Sequence, residues 1–285
     1  MVALRSPIPW IGGKHYSARQ ILQAFPHHKD YDVYCDLFGG AAHVLIQKPT
    51  YKHVEVYNDI NSDLVNFWMQ CRDNGAALED RCRTLPYARS LYYAYHKSLF
   101  DGTEMEPLER ATRWFYVLRS SFRATIESTP NGWIHHYNYV AKSPGHAHSY
   151  RETLALFGLI SQRFANVQID NQDFADVFAQ CKSHRTLFYV DPPYVDAEHY
   201  YENAFTLQDH QRLAALLNST PAYVALSYYP HPLLDELYPA DKWRRITWET
   251  FKHSQRTKAT HDVATEMLLT NYEPAARELW AQEVV

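Results

Sequence analysis

The run Thr186-Leu187-Phe188-Tyr189-Val190 leads straight into Asp191-Pro192-Pro193-Tyr194. This junction constrains the fold more than any other segment. The apolar run reads as a short buried strand. Two consecutive prolines cannot continue it, because each lacks an amide donor and fixes φ. The strand therefore stops at Asp191. It delivers a carboxylate, two carbonyls free to accept and an aromatic ring to its carboxyl end, where open α/β sheets bind ligands. Such a stiff, acceptor-rich corner suits an exocyclic amine on a flat heterocycle. An ordinary strand-ending turn is the competing reading of the tetrapeptide alone.

The surrounding pattern is α/β. A strand at Val33–Leu37 is followed by a small-residue turn at Gly39-Gly40-Ala41-Ala42 and a helix through Val44–Gln47. A second strand, Val54–Tyr57, ends at Asn58-Asp59, and Asn61 or Ser62 can cap the next helix, 63–69. The same alternation returns after Tyr150, with a helix at 152–164, a strand at 167–170, the strand before Asp191 and a helix at 207–217. Strands at 222–228, 244–249 and 266–271 complete the set. Between these halves, 72–150 is rich in Arg, Tyr and Trp at helical spacing. Asn131-Gly132, between Thr125-Ile126 and Trp133-Ile134, is a hairpin signal. The chain is thus read as a catalytic domain formed by 1–71 and 151–285, with an inserted, mostly helical domain at 72–150 carrying one β-hairpin.

With 285 residues the chain can bury a large core. No apolar run approaches the ~20 residues that span a bilayer, and residues 1–7 carry no signal-peptide core. Cys35, Cys71, Cys82 and Cys181 have no zinc or redox spacing, so a reducing, cytoplasmic setting is expected. A net charge of -4 does not advertise a nucleic-acid binder. Local charge is more telling. Lys242, Arg244, Arg245, Lys252, Arg256 and Lys258 face Glu249 alone within 242–258, and 81–123 is rich in arginine. Either patch could meet phosphates, but a solvated face is the better reading of either patch alone.

Four further segments gain meaning beside Asp191. Asp36-Leu37-Phe38-Gly39-Gly40 follows a strand and opens a helix, and its glycines permit close backbone approach to a ligand. Asp59 ends the next strand, where a carboxylate can accept from both ribose hydroxyls or merely cap a helix. Asp173-Phe174 follows a third strand and offers an acceptor and an apolar face, or a cap and a core residue. Pro9-Trp10-Ile11-Gly12-Gly13-Lys14 opens the chain, as part of a site or as a structural turn.

Together, in this order, these segments resemble the Dam-like, α-group DNA adenine methyltransferases. The resemblance covers essentially the whole chain. Further support comes from Phe205-Thr206 with Asp209-His210, and from Glu266-Met267-Leu268-Leu269-Thr270-Asn271-Tyr272, which is similar to the family's last core strand. Two positions depart. Ala42 stands where the family usually has a second glycine, and 119–125 matches the family's asparagine-glycine-arginine pattern poorly.

The resemblance implies a Rossmann-like S-adenosylmethionine-dependent sheet with an inserted target-recognition domain. It implies methyl transfer from S-adenosylmethionine to the exocyclic amine of a flipped-out adenine in double-stranded DNA, without a metal. Asp191, Pro192 and Tyr194 would carry the chemistry. Trp10, Lys14, Asp36, Phe38, Gly40, Asp59, Asp173, Phe174 and Asp191 would hold the cofactor. Arg119, Arg123 and Lys258 would meet DNA, and 195–204 would close over the base. The expected enzyme is a monomer in solution that can dimerise on DNA. A cytosine amino-methyltransferase is disfavoured by Asp191, since serine is usual there. A Rossmann dehydrogenase explains the glycine loop and Asp59 but not the prolines. A catalytically weak or inactive DNA-binding homologue is the remaining alternative, with Ala42 as its only support.

Overall fold

The computed structural model describes residues 4–123, 125–135, 145–196, 205–251 and 263–274. Seven strands form one sheet: β1 (Val33–Asp36), β2 (Val54–Asn58), β3 (Val167–Asp170), β4 (Thr186–Val190), β5 (Tyr223–Tyr228), β6 (Arg244–Phe251) and β7 (Val263–Thr270). Their order is β3-β2-β1-β4-β5-β7-β6. Strands β1 to β5 are parallel, and β7 alone runs against its neighbours. This is the expected Rossmann-like class. The chain leaves β1 toward β2 on one side and later enters β4 on the other. The strand order therefore reverses between β1 and β4, and a ligand crevice opens outside their carboxyl ends.

Helices cover both faces, which is why β4 is buried throughout. Leu187 and Tyr189 point into one apolar cluster, Phe188 and Val190 into the other. The first cluster takes in α1 (Ala18–Gln23), α2 (His43–Gln47), α3 (Ser62–Asp73), α4 (Gly75–Thr84), α5 (Arg89–Phe100), α6 (Pro107–Ser120), α7 (His146–Leu154) and α8 (Phe157–Phe164). The second takes in α9 (Phe174–Cys181), α10 (Leu207–Ser219) and α11 (Pro232–Leu237). Helix α6 starts with Pro107 in its first turn, where a missing donor costs nothing. Its buried Phe115 stacks on Phe67 of α3 at 5.5 Å, while Trp68 stacks on Phe164 of α8 at 4.8 Å. The helices of the middle segment thus share one apolar cluster with the sheet.

Local details refine the expectations. Asn61 is the cap of α3, its side chain accepting the Leu64 amide at 3.0 Å. The helix expected at 152–164 is two helices, broken at Ala155-Leu156. The hairpin at Asn131-Gly132 is not formed. Ser121 and Trp133 make an isolated antiparallel bridge instead. A tight type I′ hairpin turn needs positive φ at both central residues, and here only Gly132 has it. The Asn131 side chain is turned inward, donating to the Thr125 carbonyl and hydroxyl at 3.2 and 2.8 Å.

At the edge remote from the crevice, Glu55 of β2 is buried between two cations. Arg163 reaches it with both terminal nitrogens, at 2.6 and 3.0 Å, and Lys48 donates at 2.9 Å. Both cations also donate to backbone carbonyls, of Leu45 and Pro49.

Candidate active site

A cavity of about 440 Å³ lies at the carboxyl ends of β1, β2 and β4. Trp10, Lys14, Asp36, Phe38 and Gly40 line it, as do Asp59, Asp173, Phe174 and Asp191. The structure therefore brings every residue expected at the cofactor to one wall or another of a single cavity. Helix α6 closes part of it with Arg110, Trp114 and Leu118.

The glycine loop is pinned at Gly40, whose amide and carbonyl are both held. The Gly40 amide donates to Asp59 Oδ2 at 2.9 Å, and its carbonyl accepts from the Tyr57 hydroxyl at 2.7 Å and the Trp68 indole at 3.0 Å. Gly40 has φ of +48°, and a Cβ there would lie 2.9 Å from the Trp10 indole nitrogen. Gly39 is tighter still: a Cβ would meet the Tyr57 ring at 2.1 Å. Gly39→Ala is expected to cost about 1–3 kcal/mol or more, since the fully buried Tyr57 cannot step aside. A urea titration with an unchanged midpoint would show that the loop has room. Ala42 sits at φ of +55°, a left-handed conformation that glycine adopts freely and alanine adopts at about 1–2 kcal/mol.

Asp59 spends its carboxylate on the loop, Oδ2 on Gly40 and Oδ1 on the Asn61 amide at 2.9 Å. Burial raises its pKa, and backbone donors from Asn61, Gly40 and Ile60 oppose the shift. Asp36, at the end of β1, is buried, and its Oδ1 has no partner among the described residues. Burial, then the charges of Asp191 and Asp59, push its pKa well above the usual carboxylate range.

At the proline corner, Asp191 Oδ1 and the Lys14 ammonium form an ion pair at 2.9 Å. Lys14 also donates to the Gly12 carbonyl at 2.7 Å and lies over the Tyr194 ring, 4.8 Å from its centroid. Burial raises the Asp191 pKa, and Lys14 opposes it. Tyr194 is buried rather than on the cavity wall. Its ring packs on Tyr228 and Tyr229 at 5.3 and 4.6 Å, and its hydroxyl donates to Glu266 Oε2 at 3.1 Å. Glu266 was not singled out from the sequence as a site residue. The available signal was a carboxylate heading the apolar run Met267-Leu268-Leu269. Because β7 runs backwards, its early residues reach the crevice side of the sheet, where Met267 pairs with Tyr228.

On the far side, Phe38, Phe174 and Phe205 make an aromatic wall with centroids 5.4 to 5.9 Å apart. Asp173 caps α9 by accepting from the Ala175 amide at 2.9 Å. It also pairs with Arg212 of α10, whose guanidinium lies 4.3 Å from the Phe174 ring centroid. Arg212 carried no sequence signal, because its partner arrives from another element.

The expected DNA contacts divide. Arg119 points into the protein and donates to Ser149 and Thr153 of α7, at 3.2 and 2.9 Å to their hydroxyls. The guanidinium of this expected DNA contact thus ties α6 to α7. Arg123 is exposed, beside Phe122, which is 71% exposed. Most other arginines of 81–123 are engaged. Arg81 and Arg113 pair with Glu109, Arg83 with Glu79 and Arg110 with Asp63. Arg244 and Arg245 pair with Glu273 and Asp235. Lys258, with Lys252 and Arg256, lies outside the described residues, as does 197–204 of the proposed closing loop. Among the described residues, no cluster of His, Cys, Asp and Glu is arranged to hold a metal, and no helix is long and apolar enough to cross a membrane.

Comparison with known proteins agrees with this geometry. The chain is 25% identical over 293 residues to the type II methyltransferase M1.LlaDCHI of Lactococcus lactis subsp. cremoris, covering 95% of this chain and 96% of the relative. It is 24% identical over 289 residues to the type II methyltransferase M.FokI of Planomicrobium okeanokoites, covering 94% of this chain and 43% of that longer protein. Residues 10–253 match one family over most of the chain, and the glycine loop, the cavity and the proline corner all fall within that match. The chain belongs to the D12 class N6 adenine-specific DNA methyltransferase family.

Proposed function

We propose that the protein transfers a methyl group from S-adenosylmethionine to the exocyclic amine of an adenine turned out of double-stranded DNA. The observation that carries this reading is the cavity at the β1–β4 crossover, lined by Asp191 and Pro193 of the proline corner and by Asp36, whose Oδ1 has no partner among the described residues. The residues fit such a donor. Asp36, Asp59 and Asp191 line the cavity, and a cationic ligand would relieve the crowding of acids that pushes the Asp36 pKa up. Asp36 Oδ1 would accept from the ammonium of the methionine part. The Phe38, Phe174 and Phe205 rings would face the adenine, with Asp173 at its amine, and Asp59 would serve the ribose while holding the loop.

When bound, the donor supplies a methyl group on a positively charged sulfur. The chain does the rest. The target amine is a poor nucleophile, because its lone pair is delocalised into the ring. Asp191 and the Pro192 carbonyl each accept one of its N–H bonds and so localise the pair on nitrogen. These are preorganised acceptors facing the charge that develops there. Lys14 favours the ionised form of Asp191 and opposes the rise in pKa that burial imposes. The proton leaves after transfer, from a nitrogen that is then strongly acidic, so Asp191 acts as an acceptor and need not be a full base.

The segment 72–150 is our candidate for target recognition, inserted between the catalytic parts 1–71 and 151–285. Exposed Arg123 is its candidate DNA contact. The Tyr194 ring is covered in this structure and lies beneath Lys14, so its part in this reading is to hold that ammonium.

The donor assignment is tested by calorimetry with Asp59→Ala. Loss of hydrogen bonds to a charged group is expected to weaken S-adenosylmethionine binding by roughly 1.5–3 kcal/mol, about 10- to 150-fold, with a smaller effect on DNA binding. Unchanged donor affinity would leave Asp59 as a loop brace alone.

A further inference from the structure

The geometry points to Glu266 as a positioning residue for methyl transfer, one that anchors Tyr194 beneath the Lys14 ammonium that pairs with Asp191. The inference rests on the catalytic reading given above. Glu266 is 5% exposed and sits on the one reversed strand of the sheet. Its Oε2 accepts the Tyr194 hydroxyl at 3.1 Å. The Tyr194 ring in turn lies under Lys14 at 4.8 Å, and Lys14 pairs with Asp191 at 2.9 Å. The chain of contacts Glu266, Tyr194, Lys14, Asp191 is continuous, buried from Glu266 to Lys14 and reaching the cavity wall at Asp191. A ring fixed only by packing could slide along Tyr228 and Tyr229. A ring fixed at its hydroxyl holds Lys14 at one height over its face.

Charge adds a second link. Around Glu266 stand Lys14 from the amino-terminal segment, Asp191 and Tyr194 after β4, Tyr189 within β4 and Tyr229 after β5. Asp36 completes the set that faces Asp191. Lys14 is the only cation among these groups, and it attracts both carboxylates. Burial raises the Glu266 pKa, with Asp191 adding to the rise and Lys14 and Tyr194 opposing it. Each carboxylate therefore makes the other harder to ionise. The ionised Asp191 is the stronger acceptor for the amine, so the transfer rate falls as pH drops through its pKa. Without the charge of Glu266, Lys14 would act on Asp191 alone, and that pKa would fall.

The test is the pH profile of single-turnover methyl transfer, each variant scaled to its own plateau. Glu266→Gln keeps an acceptor for Tyr194 and removes the charge. Its acid limb is expected to move down by about one pH unit, the lower end of what a neighbouring charge produces. Glu266→Met removes the charge with an apolar side chain of similar size and should move the limb the same way, whichever of the two folds. Glu266→Asp keeps the charge and should stay near wild type. An unmoved limb in a folded charge-free variant overturns the inference, and so does an equal shift in Glu266→Asp. Failure of the wild-type protein to methylate adenine would instead overturn the function proposed above.

Discussion

Asp191→Ala is expected to lower methyl transfer by at least about 10²–10³-fold, the scale for removing one preorganised group that meets charge developing in a transition state. The side chain is at the carboxyl end of β4, beside two prolines that no change at 191 will move. The fold should survive, because Asp191 contributes no strand pairing and lies at the cavity wall. The alanine variant also strips Lys14 of its 2.9 Å partner. Asp191→Asn therefore makes the better comparison, since it keeps size and an acceptor oxygen and loses the charge. Single-turnover transfer, read beside circular dichroism, checks both. Near-normal transfer by a folded Asp191→Ala protein would remove the carboxylate from the chemistry.

The second large effect is on stability. Glu55→Gln is expected to cost about 3–5 kcal/mol, because it leaves Lys48 and Arg163 buried without their anion. That is a large part of the ~5–15 kcal/mol that holds a typical domain together. Burial alone would raise the Glu55 pKa, but the Arg163 and Lys48 contacts overturn this and hold it below the ordinary 4.5. A depressed carboxyl stabilises the fold above its unfolded pKa and loses that contribution as pH falls through the folded value. The gap between wild type and Glu55→Gln in urea midpoint should thus be full at neutral pH and shrink in acid below about 4.5. A gap that is small at pH 7, or constant into acid, would mean that the pair does not support the fold.

What could be read from the sequence was local chemistry. Prolines end β4, small residues shape the loop after β1, and Asn61 caps α3, each through its own backbone preference. Those residues are also the ones that line the cavity, because a crossover sheet gathers its strand ends at one place. Residues whose partners come from distant segments were not legible. Arg212 meets Asp173, and Glu266 meets Tyr194, only after folding. Arg119 looks like any other arginine on a helix until Ser149 and Thr153 arrive from α7. The Asn131-Gly132 signal was outweighed because the asparagine side chain found Thr125. The break at Ala155-Leu156 carries no proline or glycine to announce it.

The most direct measurement is nucleoside analysis of duplex DNA after incubation with the purified protein and isotope-labelled S-adenosylmethionine. The expected result is label in N6-methyldeoxyadenosine, lost with Asp191→Ala. Label in N4-methyldeoxycytidine would contradict the adenine assignment. Absence of labelled nucleoside from a folded, donor-binding protein would contradict the enzymatic reading itself.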